Sequence, residues 1–177
     1  MNWNFVEKLK NEHDIATIEE AFGIKFPQSL IKLVNEFNNG TPSPNTFDTE
    51  LLVGKSFGEL LNFNLGNENN ILTDYKDIKN KLPEDFYPFA GDGGENFMCL
   101  DYNNIDNDEP KIYYWDHEQK FEVHDDELII RYTEDESEKY RLEFVAANLE
   151  EALQKLYDTE DDDDDDEDAE ILYNGIA

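Results

Sequence analysis

The chain has 177 residues, 38% hydrophobic and 13% aromatic, which is enough apolar content to close a single core. Its formal net charge is −30, from 44 Asp and Glu against 14 Lys and Arg; such a field repels nucleic acid and anionic lipid heads and speeds encounter with basic partners, less so as salt rises. No apolar run approaches the roughly 20 residues that span a membrane, and the N-terminal Met1-Asn2-Trp3-Asn4-Phe5 lacks a basic region followed by an apolar one, so a cytosolic protein is expected. Ten of the acids fall within residues 160–170, yet the remaining 34 still outnumber the cations, so the body is acidic too. With one cysteine no internal disulfide forms, and Cys99 in an apolar run reads as a small buried thiol.

In chain order, Trp3, Val6 and Leu9 have helical spacing and predict a short amphipathic helix over 3–10. Asp14 is placed to cap a second helix through Phe22, with Ile15, Ile18 and Phe22 on one stripe and Gly23 to end it in a left-handed turn. Pro27 opens a third, whose apolar face is Leu30, Ile31, Val34 and Phe37, closed by Asn38-Asn39-Gly40. Pro42 and Pro44 make helix improbable as far as Phe47. The apolar runs 51–54 and 57–65 predict strands, with one helical turn over 56–61 as the alternative. Residues 71–81, with Ile71, Leu72, Tyr75 and Ile78 in helical register, predict a helix stopped before Pro83.

The most organised stretch is 86–117. An apolar run at 86–90 is followed by Gly91-Asp92-Gly93-Gly94-Glu95, then by 96–102, a polar loop over 103–110, and the aromatic run 111–117. Three glycines among four residues supply the positive φ angles of a tight reversal, so this is an antiparallel meander covered on one face by flanking segments. Further on, 127–132 predicts a strand, 133–139 a charged turn and 140–146 a strand entering the core. Asn148 with Glu151 forms a capping-box start for a helix on Leu149, Ala152, Leu153 and Leu156, ending near Tyr157. The fold class is α+β, with N-terminal helices and a C-terminal helix packed on a mostly antiparallel mixed sheet.

Several pieces occur in an order that resembles the SUKH superfamily, in its cell-wall-assembly-regulator branch. They are residues 18–27 (Ile-Glu-Glu-Ala-Phe-Gly-Ile-Lys-Phe-Pro), Phe37-Asn38-Asn39-Gly40, residues 89–94 with Leu100-Asp101, residues 114–118 and residues 145–153. The resemblance covers roughly 15–157. Two departures stand out: Glu95-Asn96 replace a glycine and an aspartate usual in the family, and 118–140 is longer and more acidic. The resemblance implies a mixed sheet on helices and, in bacteria, a non-enzymatic immunity protein that neutralises a toxin domain made by the same or a neighbouring cell.

The residues allow other chemistry to be weighed. Cys99, His117 and Asp101 or Asp116 would supply nucleophile, base and orienter for a cysteine hydrolase, but the sequence does not bring them together and ordinary core and surface roles account for each. His117 and His124 with Asp116 and Asp125 match no common metal-ligand spacing, so neither metal nor cofactor is expected. The 91–94 turn contains Asp92, precedes Glu95 and lacks a following Lys-Ser or Lys-Thr, so it is no phosphate cradle. Tyr87, Tyr102, Tyr113 and Trp115 are interface anchors only if exposed.

Residues 158–168 are almost uninterrupted carboxylate, a self-repelling run followed by the apolar Ile171-Leu172-Tyr173. We therefore expect a domain over 1–157 and an acidic tail over 158–177, which either solubilises the protein or imitates a phosphate backbone in a basic nuclease-type toxin. The run lacks the spaced ligands and glycine of a calcium loop. The expected contact set for a basic protein partner is Asp92, Glu95, Asp116, Glu118, Asp125 and Asp126 with Asp161, Asp162, Asp163, Asp164, Asp165 and Asp166. The alternative is an intracellular regulator or scaffold that recruits several proteins through its tail. Oligomeric state is left open, with a monomer favoured.

Overall fold

The computed structural model describes residues 1–106, 109–117, 120–124, 127–131 and 141–159. Two small ribbons frame the first part of the chain: β1 (Asn2–Asn4) pairs with β2 (Thr41–Ser43), and β3 (Thr46–Phe47) with β4 (Lys55–Ser56). The main sheet has five strands, all antiparallel: β5 (Glu59–Leu60), β6 (Phe86–Gly91), β7 (Phe97–Asp106), β8 (Glu109–Asp116) and, after the hairpin of β9 (Lys120–His124) and β10 (Glu127–Arg131), β11 (Arg141–Ala146). Their order is β11-β8-β7-β6-β5. With four helices packed against it the architecture is α+β, as expected.

Each helix begins and ends where local chemistry dictates. Helix α1 (His13–Phe22) buries Ile15, Ile18 and Phe22, and Gly23 at φ 73° turns the chain left-handed while its N–H returns to Glu19. Asp14 is not its cap. It lies in the first turn and accepts from Leu65 N, 3.0 Å away. Pro27 occupies the N-cap position of α2 (Gln28–Phe37) without a side-chain cap bond, whereas Asn70 caps α3 (Ile71–Ile78) through Leu72 N and Thr73 N, and Asn148 caps α4 (Leu149–Gln154) through Glu151 N. Glu151 completes a displaced capping box by reaching Ala147 N, one residue before the cap.

The helices cover one face of the sheet. Ile18, Leu30, Val34, Ile71, Leu149 and Ala152 meet Ala90, Met98, Leu100, Ile112 and Tyr114 in the main core. The opposite face carries a smaller cluster in which Phe86, Cys99 and Trp115 pack under Ile78 and Leu82. The central strands are apolar on both sides because α3 passes from one face to the other. Its first residue, Ile71, joins the main core and its last, Ile78, the second cluster.

Four expectations fail, each for a physical reason. Residues 3–10 form no helix: Trp3 stacks on Phe37 with centroids 5.1 Å apart, from an extended segment paired with β2, so the apolar spacing reflects side-chain packing along an extended chain. Residues 51–54 belong to a loop closed by Gly54 N on Asp48 Oδ1 at 2.8 Å and Thr49 N on Leu52 O at 2.7 Å. The 103–110 loop is shorter than expected, since β7 and β8 continue until Asp106 pairs with Glu109.

The fourth failure is the run 57–65, of which only Glu59–Leu60 is strand. Beyond it, side-chain amides take over the role of a partner strand. Asn38 Oδ1 accepts from Phe63 N at 2.8 Å, Asn62 Oδ1 from Asn64 N at 2.9 Å, and Asn64 Oδ1 from Lys10 N at 2.7 Å. Asn38 Nδ2 donates to Glu7 O and to Asn62 Oδ1, while Glu7 Oε2 accepts from Asn62 and Asn67. Asn38 is fully buried, so Asn38→Ala would take the partner from Phe63 N and Glu7 O and one of two donors from Asn62 Oδ1, at about 1–3 kcal/mol for each group left unsatisfied. We expect a loss of roughly 3 kcal/mol, read in urea as a lower midpoint at unchanged slope.

Candidate functional site

The reversal between β6 and β7 is tied by one carboxylate. Asp92 Oδ1 accepts from Gly94 N at 2.7 Å and Asn96 N at 3.2 Å, and Oδ2 accepts from Asn96 Nδ2 and Tyr114 Oη, both at 2.8 Å. Burial opposes the charge, but the hydrogen bonds from Asn96, Gly94 and Tyr114 outweigh it and hold the carboxyl below its usual range. Burial first, and then the bond to Asp92, push the Tyr114 phenol far up. Backbone donors that would cradle a phosphate are thus occupied by the turn's own acid. Gly58 lets the chain come close: a Cβ there would lie 2.4 Å from Gly91 O.

Glu95 has φ 66°, the left-handed conformation a glycine adopts most readily. The Glu95 side chain is 86% exposed. Asn96, its amide group fixed by Asp92, presents Oδ1 to His117 N at 2.9 Å and to His117 Nδ1 at 2.8 Å, which assigns the proton to Nδ1. Nε2 of His117 then faces Glu95, 3.8 Å away.

Beside this turn lies a cleft of about 370 Å³, lined by Asp74, Asp77, Ile78 and Lys81 from α3 and its exit, by Glu95 and His117, and by Phe97 and Trp115 from the second face of the sheet. Asp74 and Asp77 meet no cation within 4 Å among the described residues. Burial, followed by the neighbouring carboxylates of Asp77 and Glu59, raises the Asp74 carboxyl above its usual range. Asp77 sits in the last turn of α3, where the helix dipole disfavours an anion.

Other predicted residues are placed differently. Asp116 is 3% exposed and lies 3.4 Å from Lys55 Nζ, so its carboxylate is engaged inside the fold instead of facing solvent. Of the expected contact acids, Asp92 also points inward, and Glu95 is the one exposed among the described residues. Glu118, Asp125, Asp126 and Asp161 to Asp166 lie outside the described residues. Trp115 and Tyr87 are core, not surface anchors. Cys99 is fully buried against Phe86 and Trp115, and burial drives its thiol far above the usual range, while His117 is engaged by Asn96 and Glu95. The expected strangers Cys99 and His117 therefore form no nucleophile and base pair. Asp101, which shares the Cys99 side of β7, caps Asn103 N at 2.9 Å. Among the described residues no group of three or more His, Cys, Asp or Glu gathers as a metal site, and no helix is long and apolar enough to cross a membrane.

The SMI1-KNR4 cell-wall family (SUKH_6) matches residues 12–153. The chain belongs to the SUKH group. Its matched region runs from α1 through α4 and so includes the turn, the cleft and both clusters. The family includes immunity proteins of polymorphic toxin systems and is generally non-catalytic. No curated protein and no solved structure matches the chain significantly.

Asp74 and Asp77 escaped sequence reasoning because they read as polar positions of an amphipathic helix. The usable signal was two acids three residues apart, the second in the last turn of the helix, where the dipole disfavours an anion.

Two outcomes follow from the turn. The folded Asp92 carboxyl lies below its unfolded value of about 3.9, so its contribution is complete above that pH and is lost as pH falls through the folded value. Asp92→Asn should be less stable than wild type at neutral pH, with the gap closing as pH falls below the unfolded value of about 3.9 in chemical denaturation. Glu95→Gly relieves a left-handed non-glycine residue and should leave stability unchanged or raise it by up to about 1 kcal/mol.

Proposed function

We propose that this chain is a non-enzymatic immunity protein that binds and neutralises a basic toxin domain, with residues 1–157 as the binding domain and 158–177 as an acidic tail. Membership of the SUKH group carries the reading. The acid excess supports it, since a −30 charge accelerates encounter with a cationic protein and disfavours nucleic acid as the direct ligand. In this reading Glu95, Glu118, Asp125, Asp126 and the tail acids face the partner, whereas Asp92 and Asp116 hold the fold in shape for it.

The test is a tagged pull-down from the native host, full length beside a 1–157 truncation, washed at low and high salt. We expect one stoichiometric basic protein that survives high salt, and whose toxicity to cells is relieved by co-expression. The truncation should bind with a shallower salt dependence, because it lacks eleven closely spaced carboxylates. A spread of basic proteins that all wash off would instead favour a regulator or scaffold.

A further inference from the structure

The cleft beside the 91–95 turn combines two features seldom placed together without a ligand. Its rim is anionic, with Asp74, Asp77 and Glu95 against Lys81 and the His117 imidazole, and its floor is aromatic, with Phe97 stacked on Trp115 at a centroid distance of 6.1 Å. An all-polar pocket would suit water, and an all-apolar one an aliphatic side chain. A cationic head on an apolar stem fits both parts at once. A metal ion does not, because the carboxylates are too dispersed to form a coordinating group of three.

We infer that this cleft is the socket for an arginine side chain of the protein partner, its guanidinium held between Asp77 and Glu95 and its stem laid against Phe97. Arginine fits better than lysine. Its planar head engages carboxylates on two sides while stacking on a ring, and arginine is over-represented among the residues that dominate interfaces. Two local costs are relieved together by one incoming cation: the half-buried Asp74 beside Asp77, and the Asp77 anion at a helix C-terminus. The volume of about 370 Å³ admits a single long side chain but no folded element. This deepens the immunity reading and rests on it for the nature of the partner.

The test uses the full-length ¹⁵N-labelled protein titrated with acetyl-Gly-Arg-Gly-amide, its lysine counterpart and its citrulline counterpart. We expect saturable shifts confined to the amides of residues 74, 77 and 95 and the Trp115 indole, stronger for arginine than for lysine and absent for citrulline. Asp77→Asn and Glu95→Gln, both at exposed positions, should each weaken the arginine peptide about threefold. Shifts that are absent, unsaturable and spread over the acidic surface, or equal for lysine, would overturn the socket. Cell rescue separates the two ideas. If the double variant protects cells as well as wild type does, the socket fails and the immunity reading survives; if the peptide binds as expected but no toxin is ever neutralised, the reverse holds.

Discussion

The carboxylate of Asp92 is the contact on which the working end of the molecule depends. It takes four hydrogen bonds, two from the backbone of its own turn, one from Asn96 and one from Tyr114 on the far strand. Through Tyr114 it joins the turn to β8, and through Asn96 it sets the ring of His117. A four-residue reversal that would otherwise sample many shapes is thereby held to one, with Glu95 turned outward. The rim of the cleft is consequently built before any partner arrives, so little ordering cost remains to be met on binding.

The same logic divides the acids of this chain into two classes. Glu7, Glu19, Asp92 and Asp116 each spend a carboxylate on the fold: Glu7 on Asn62 and Asn67, Glu19 on Phe26 N and Lys25, Asp92 on its turn, Asp116 on Lys55. Their charge is compensated locally and adds little to an approaching partner's experience of the surface. Asp74, Asp77 and Glu95 are uncompensated or exposed, and they converge on one concavity. In a protein with 44 acids, position and pairing, more than number, decide which carboxylates are available.

Much of the fold was legible in the sequence because it rests on local rules. Gly23 ended α1 where a left-handed residue was needed, Pro27 preceded α2, and the three glycines of 91–94 marked the reversal between β6 and β7. What was not legible depended on distant partners. Trp3 takes its conformation from Phe37 and Phe57, which no window around residue 3 contains. The segment 61–65 reads as a strand by hydrophobicity, yet its Phe63 and Asn64 N–H groups donate to the Asn38 and Asn62 side chains, so side-chain acceptors take the place of a partner strand's carbonyls. The second apolar face of the sheet made Cys99 core on a side where a single-faced meander would have been wet. For the site, Asp92 and Asp116 read as surface acids in the sequence, whereas their direction is set by Tyr114, Asn96 and Lys55 from elsewhere in the chain.

Net charge and the cleft serve different stages of one encounter. A diffuse field of −30 acts over a Debye length of roughly 8 Å at physiological salt, and it raises the rate at which a basic partner arrives without fixing how it docks. A single buried side chain in a preformed socket does the opposite: it contributes little at a distance and fixes register once contact is made. The root of the tail is joined to the cleft by a short chain of contacts. Tyr157 pairs with Thr46, Phe47 packs on Tyr114 at 5.5 Å, and Tyr114 holds Asp92. In the proposed reading, the root of the tail and the socket share these few linking residues, and a partner drawn in by the field would dock at an end of the molecule already shaped by Asp92.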